Sequence, residues 1–208
     1  MKRLKAFGAV TAAAAVVALS GPVRQRLPER WATVVPGVVG ATAAGLTRAP
    51  LGLRPRALRG GLRAGGLAAA AAAAGVLAVS AVPRVRAGMT RRELPDTPAR
   101  WLLVRIPLGT VWSEELLYRG ALAHLAAEAF GPTGGRLLQA AAFGLSHVSD
   151  ARATGEPIAA TVLSTGAAGW VFAWLAERSG SVAAPMLVHL ALNEAGALAV
   201  LAARCGRY

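Results

Sequence analysis

Glu114 and Glu115 stand side by side in an apolar run, Trp101-Leu-Leu-Val-Arg-Ile-Pro-Leu-Gly-Thr-Val-Trp-Ser-Glu114-Glu115-Leu-Leu-Tyr118-Arg119. An ionised carboxylate at the centre of a bilayer costs roughly 2.5–3.5 kcal/mol, so each needs a partner or a use. Arg119 lies four residues after Glu115, on the same helix face, and can pair with it. Glu114 is rotated by about 100° in an α-helix and has no counter-ion on its own helix. It is the carboxylate left over for chemistry.

Three more polar groups fall inside apolar segments. His147 ends the run Leu137-Leu-Gln-Ala-Ala-Ala-Phe143-Gly-Leu-Ser-His147, and His189 and Asn193 lie in Pro185-Met-Leu-Val-His189-Leu-Ala-Leu-Asn193-Glu194. The spacing of four puts His189 and Asn193 on one face, a turn apart. Exposure to lipid is too costly for such groups, so the three helices must turn them into the bundle interior. A carboxylate and two imidazoles around a water-filled pocket suit water activation, the carboxylate taking the proton. A histidine and an asparagine can donate hydrogen bonds to a developing oxyanion. Glu114, His147 and His189 are also a zinc-ligand combination, so a metal centre is a second reading of the same residues.

The elements that must position these groups are apolar helices. The chain has 208 residues, 55% hydrophobic and 16% charged, against about 25% charged in soluble domains. At about 20 residues per span the length suits six to eight spans. Seven apolar segments can be drawn, roughly 4–21, 31–47, 64–83, 101–129, 134–148, 157–176 and 182–203. The fold expected is therefore an all-α, polytopic transmembrane helix bundle of about seven spans. The first three segments contain no acidic residue and are rich in Ala, Gly and Val. Residues 1–100 are thus read as helices and basic loops without chemistry, and residues 101–208 as a four-helix catalytic core.

The net charge of +13 does not point to nucleic acid. The basic residues sit in short loops between apolar segments, where they set orientation and meet anionic lipid. The stretch from Arg48 to Arg63, basic and free of acid, is the best cytoplasmic candidate and could form a short interfacial helix. The loop 84–100 is also basic, with Arg84, Arg86, Arg91, Arg92 and Arg100 against Glu93 and Asp96, although strict alternation places it on the opposite side. Trp31, Trp101, Trp170 and Trp174 fall near segment ends, as an aromatic belt requires. The single cysteine, Cys205, excludes an internal disulfide and a cysteine metal cluster. Met1-Lys-Arg-Leu-Lys5 and the Ala/Val run after it have the outline of a signal peptide. With so many spans downstream, a retained first helix is the better reading. The preference for Arg over Lys and for Ala and Val is that of a GC-rich bacterial genome, so the expected location is a bacterial inner membrane.

Taken together, Glu114-Glu115-x-x-x-Arg119, Phe143-x-x-x-His147 and His189-x-x-x-Asn193 resemble, in order, the three motifs of the CAAX-protease and bacteriocin-processing family. This is the intramembrane endopeptidase family also called Abi, or type II CAAX prenyl protease-like. The resemblance covers about residues 100–205. It implies a helical bundle with catalytic groups below the membrane surface and a membrane-embedded or membrane-associated polypeptide substrate. It implies Glu114 as the base that activates water with the help of His147, and His189 with Asn193 as the oxyanion site. Glu115 and Arg119 are then a supporting pair. No cofactor is favoured, because the chain lacks His-Glu-x-x-His and Glu115 is committed to Arg119; zinc is the alternative. Glu194, directly after Asn193, is a further intramembrane acid outside the family pattern.

Blander readings exist for each group. Glu114, Glu115 and Arg119 could be an interior ion-pair network, but one Arg cannot neutralise two Glu. His147 alone could sit at headgroup level, and His189 with Asn193 could be hydrogen-bond glue between helices. His124, four residues before Glu128, reads as half of a helix-end pair. Gly144-Leu-Ser146 with His189 has the outline of a rhomboid-type serine protease but leaves Glu114, Glu115 and Arg119 without a role. A proton- or ion-coupled transporter would also bury Glu, Arg and His, yet no internal repeat is visible.

Overall fold

The computed structural model describes residues 1–28, 30–92 and 94–205; Glu93, counted above in the basic loop, lies outside them. Among the described residues every regular element is helical. The helices are α1 (Lys2–Arg26), α2 (Val34–Leu46), α3 (Pro55–Ser80), α4 (Pro83–Met89), α5 (Pro98–Arg100), α6 (Ala123–Ser146), α7 (Val148–Thr154), α8 (Ile158–Ser179) and α9 (Ala183–Cys205). Between α5 and α6 the chain stays helical but winds wider, as π-helix, over Trp101–Trp112 and again over Glu115–Leu122. Pro107 lies inside the first of these stretches. Lacking an N–H, it removes one rung of the α-helical ladder.

Four stretches are long and apolar enough to cross a membrane: Lys2–Gly21, Pro55–Ser80, Ile158–Ser179 and Ala183–Arg204. Val34–Leu46 is apolar but shorter. Among the described residues, the long helix 98–130 and its return 132–146 bring the long helices of the bundle to seven. The reversal between them is at Gly131, whose φ of 77° and ψ of 173° suit glycine and stop the helix. Pro132 then opens the return pass, where its missing N–H costs nothing. The third pass starts earlier than its hydropathy suggests. Pro55 sits at the first helical position, so Arg56, Arg59 and Arg63 belong to the opening turns of α3 rather than to a separate interfacial helix.

Ties at the two ends of the bundle set the direction of the passes. At one end Lys5 Nζ lies 3.1 Å from Glu128 Oε2, Arg136 pairs with Glu177, and the Val182 amide donates to the Leu51 carbonyl. At the other end Arg92 pairs with Glu156 at 2.9 Å, and Arg204 donates to the Arg92 carbonyl at 2.7 Å. His124 and Glu128 meet at 3.7 Å, the helix-end pair expected from their spacing.

The distribution of polarity is that of a multi-pass membrane protein. Large apolar side chains such as Leu67, Leu103 and Leu163 are on the outside, while Glu114, Glu115, Arg119, Gln139 and His189 are buried. The interior polar groups join the helices. Gln139 Nε2, for example, donates across to the Gly169 carbonyl at 2.9 Å and ties α6 to α8. Phe143, Tyr118 and Leu122 pack with Ala13 of α1 in one core cluster, and Phe172, Leu175, Ala184 and Val188 form another.

Candidate functional site

Glu115 and Arg119 form the ion pair their spacing requires, Nη1 to Oε1 at 3.1 Å, with both side chains wholly buried. Glu115 opens the second π stretch, while Ser113 and Glu114 keep α-helical dihedrals. Ser113 and Glu114 form the seam between the two π stretches. Ser113 ties itself there by donating from Oγ to the Gly109 carbonyl at 2.6 Å.

This seam is pressed from outside by α2. A Cβ on Gly40 would lie 2.5 Å from the Ser113 carbonyl oxygen, so only glycine allows the two backbones to approach this closely. The short helix α2, which carries no polar chemistry of its own, thus sets the position of the peptide immediately before Glu114.

His189 of α9 reaches both carboxylates. Its Nδ1 is 2.8 Å from Glu115 Oε1 and its Nε2 is 3.8 Å from Glu114 Oε2. A carboxylate accepts, so Nδ1 carries a hydrogen and donates to Glu115. The other nitrogen is then directed toward Glu114. Glu114 is not left alone, as its own helix would leave it; its partner comes from a residue 75 positions downstream. Glu115 serves two partners, Arg119 and His189, rather than Arg119 alone. Both Glu114 and His189 are 7% exposed, and Glu115 is fully enclosed.

Phe143 is the hub of the remaining groups. Its ring meets the His147 ring edge-on at 4.7 Å between centroids, Tyr118 at 5.0 Å and His189 at 6.1 Å. The Arg119 guanidinium lies 4.1 Å from the Phe143 centroid and 4.8 Å from that of Phe172. An aromatic face stabilises a cation held in this way. Tyr118 and Phe172 belong to this cage, yet nothing in their sequence context marked them. Phe172 is one aromatic among several in an apolar span.

His147 Nδ1 lies 2.7 Å from the Phe143 carbonyl. A carbonyl only accepts, so Nδ1 is the protonated nitrogen and Nε2 keeps its lone pair. Ser146 and His147 do not point apart as neighbours on a helix normally do. Both reach back to Phe143 at the end of α6, and Ser146 Oγ comes within 3.4 Å of His147 Nδ1. Ser146 already donates to the Phe143 carbonyl, and the imidazole nitrogen nearest to it is the one holding a hydrogen. The pair is therefore not arranged as nucleophile and base. Phe143 stands beside Tyr118 and Arg119 on the antiparallel neighbouring pass. One turn further along α6, the register brings His147 to the level of Glu114 and Glu115.

Asn193 follows His189 by one turn of α9 and donates from Nδ2 to the His189 carbonyl at 3.1 Å. Its amide is held on its own helix, half-buried, one turn from the imidazole. Glu194 turns away by one residue, and its Oε1 is buried without a hydrogen-bond partner among the described residues. Among the described residues, no three His, Cys, Asp or Glu side chains converge closely enough to hold a metal ion. The cluster can accept a proton at Glu114 and at His147 Nε2, and can donate hydrogen bonds from His189 and, with a rotation of its side chain, from Asn193.

Residues 96–195 match the model of the Rce1-like family, described as type II CAAX prenyl endopeptidase Rce1-like. No curated protein and no solved structure matches the chain. The matched stretch begins just before the long helix carrying Glu114 and ends just after Asn193. It contains all three motifs and leaves out the first three passes.

Proposed function

We infer, from the match of residues 96–195 to the Rce1-like family of type II CAAX prenyl endopeptidases, that this chain hydrolyses a peptide bond of a membrane-associated polypeptide through water activated by Glu114. The observation that carries this reading is the contact of one imidazole, His189, with both glutamates, which gives the two carboxylates different tasks. Glu115 is held between Arg119 and His189 Nδ1. Glu114, whose Oε2 is approached by His189 Nε2 at 3.8 Å, is placed to take a proton from water.

In this reading water sits between Glu114 and His147, whose Nε2 is an acceptor. Attack on the scissile carbonyl moves the water proton to Glu114 and leaves an oxyanion. His189, as the imidazolium donating from Nε2 while Nδ1 stays on Glu115, and Asn193, one turn away on α9, donate to that oxygen. Glu114 then returns its proton to the leaving amine, so no proton is gained or lost over the cycle. Glu115 orients His189, the service a buried carboxylate gives a catalytic histidine. Half-burial of His147 and Asn193 supports entry of water from their side.

A metal-free mechanism is the form proposed. With Glu114 as base, each group of the cluster has one role. A catalytic zinc needs three protein ligands at about 2.0–2.2 Å and an open position. Taking Glu114 as a ligand would remove the base.

Comparative proteomics of membranes carrying wild type or Glu114→Ala tests the function. A polypeptide should accumulate uncleaved with the variant and be processed with wild type. Identical membrane peptide profiles under conditions where both proteins are equally abundant would remove the protease reading.

A further inference from the structure

Glu194 sits at the middle of a membrane span, on a face of α9 that the catalytic cluster does not use. It lies eleven residues after Ala183 and ten before Arg204, the ends of the apolar stretch formed by α9. The other acid in a stretch of spanning length, Glu177, is two residues from the end of its own and pairs with Arg136. Glu194 makes no ion pair among the described residues. Its Oε1 is buried without a hydrogen-bond partner among them. Lipid tails supply neither a cation nor a hydrogen-bond donor, so a carboxylate at this depth needs one from elsewhere.

The winding of α9 fixes where this face looks. Ala184 and Val188 pack with the alanines of α3, whose Gly65 comes so close that a Cβ there would lie 2.7 Å from the Ala184 Cα. Met186, Leu190 and Ala197 pack with Ile106 and Val111 of the long helix. At about 100° per residue these two directions are about 150° apart around α9. Leu187, Ala191, Glu194 and Leu198 form a stripe that falls about midway between them. None of the four is buried, and Leu198 is 53% exposed. His189 and Asn193 lie on the other side of the contact with the long helix. Glu194 is therefore outside the catalytic cluster.

α3 and the long helix both pack on α9 and wall a groove on the outer surface of the bundle, with this stripe as its floor. Three of the four floor side chains are apolar, and Ala191 is small enough to let another helix come close. The fourth is a carboxylate. We propose that this groove docks a transmembrane helix of a partner protein, one that carries a lysine or arginine near the middle of its apolar stretch. The apolar floor receives the body of that helix and Glu194 receives its cation. Each charge then finds in the bilayer the counter-ion that lipid denies it. A helix without the cation leaves Glu194 uncompensated, so the groove selects as well as binds. The inference does not rest on the proteolytic reading, because the groove lies outside the cluster and its test reads association.

The test is association of the full chain, in nanodiscs of net-neutral phosphatidylcholine, with synthetic single-span leucine–alanine peptides, read by resonance energy transfer. The peptides differ only at their central residue, which is Lys, Leu or Glu. Wild type should bind the Lys peptide at least about tenfold more tightly than the Leu peptide, and the Glu peptide most weakly. Glu194→Gln, nearly the same in shape, should bind the Lys and Leu peptides alike. Glu194→Lys should prefer the Glu peptide, a reversal that a damaged fold does not imitate. Glu177→Gln, at an acid outside the groove, should keep the wild-type order. Equal binding of the Lys and Leu peptides by wild type would overturn the proposal. So would an undiminished Lys preference in Glu194→Gln, or its loss in Glu177→Gln.

Discussion

His189 donates from Nδ1 to Glu115 Oε1 at 2.8 Å, while its Nε2 lies 3.8 Å from Glu114 Oε2. One side chain of α9 thereby differentiates two neighbouring carboxylates of the long helix. Glu115 is fixed by Arg119 below and His189 across.

Glu114→Gln should abolish proteolysis while leaving insertion and folding intact. The amide keeps the size of the side chain but cannot take a proton, and loss of a general base costs about 10²-fold or more. The check is turnover of purified variant against a membrane-peptide substrate. Activity within a few-fold of wild type would end the assignment of Glu114 as base.

Glu115→Gln and Arg119→Ala should separate positioning from stability. Removing Arg119 breaks a buried ion pair and leaves Glu115 with His189 alone, which costs about 3–5 kcal/mol, and also empties the cage of Phe143 and Phe172. A large fall in thermal stability is expected, with activity falling in step. Glu115→Gln retains an acceptor for His189 Nδ1, so it should fold more stably than Arg119→Ala yet lower kcat more than it raises KM. An Arg119→Ala protein as stable as wild type but inactive would mean that Arg119 touches substrate.

Gly40 and Gly45 offer a matched pair on α2. A methyl at Gly40 would meet the Ser113 carbonyl at 2.5 Å, whereas at Gly45 it would meet nothing within 4 Å. Gly40→Ala should therefore destabilise by about 1–3 kcal/mol through overpacking and lower activity by displacing the Ser113–Glu114 seam. Gly45→Ala should be neutral or stabilising by up to about 1 kcal/mol, the helix preference of Ala over Gly. Thermal melts and turnover of both variants decide it. Equal effects at the two positions would show that α2 does not set the seam.

Activity should survive exhaustive chelation, and purified protein should carry less than stoichiometric zinc. Elemental analysis and activity before and after chelator are the measurements. Zinc at one per chain, with activity lost on chelation and restored by zinc, would make the enzyme a metalloprotease and demote Glu114 from base to ligand.

How much of this was legible in the sequence depends on distance along the chain. Apolar segments of spanning length, the reversal near Gly131-Pro132 and the clustering of intramembrane polar residues after position 100 all follow from local composition. So does the Glu115–Arg119 pair, because four residues close a turn in almost any helical winding. The order of Glu114-Glu115-x-x-x-Arg119, Phe143-x-x-x-His147 and His189-x-x-x-Asn193 was enough for the family resemblance, with which the match of residues 96–195 to the Rce1-like model is consistent.

Tertiary structure decided what no local rule reaches. Helical periodicity assigned Glu114 no partner, but packing of α9 against the long helix brings His189 to it from 75 residues away. The start of α3 at Pro55 draws three arginines into a helix that hydropathy begins later, because an N-terminal proline and helix propensity outweigh charge there. The long helix winds wider on both sides of Ser113 and Glu114, and hydropathy is nearly blind to a change of pitch. Tyr118 and Phe172 became walls of the cage around Arg119 only when three helices met. Local sequence sets which groups must be hidden from lipid; the packing of helices distant in sequence sets which of them face one another.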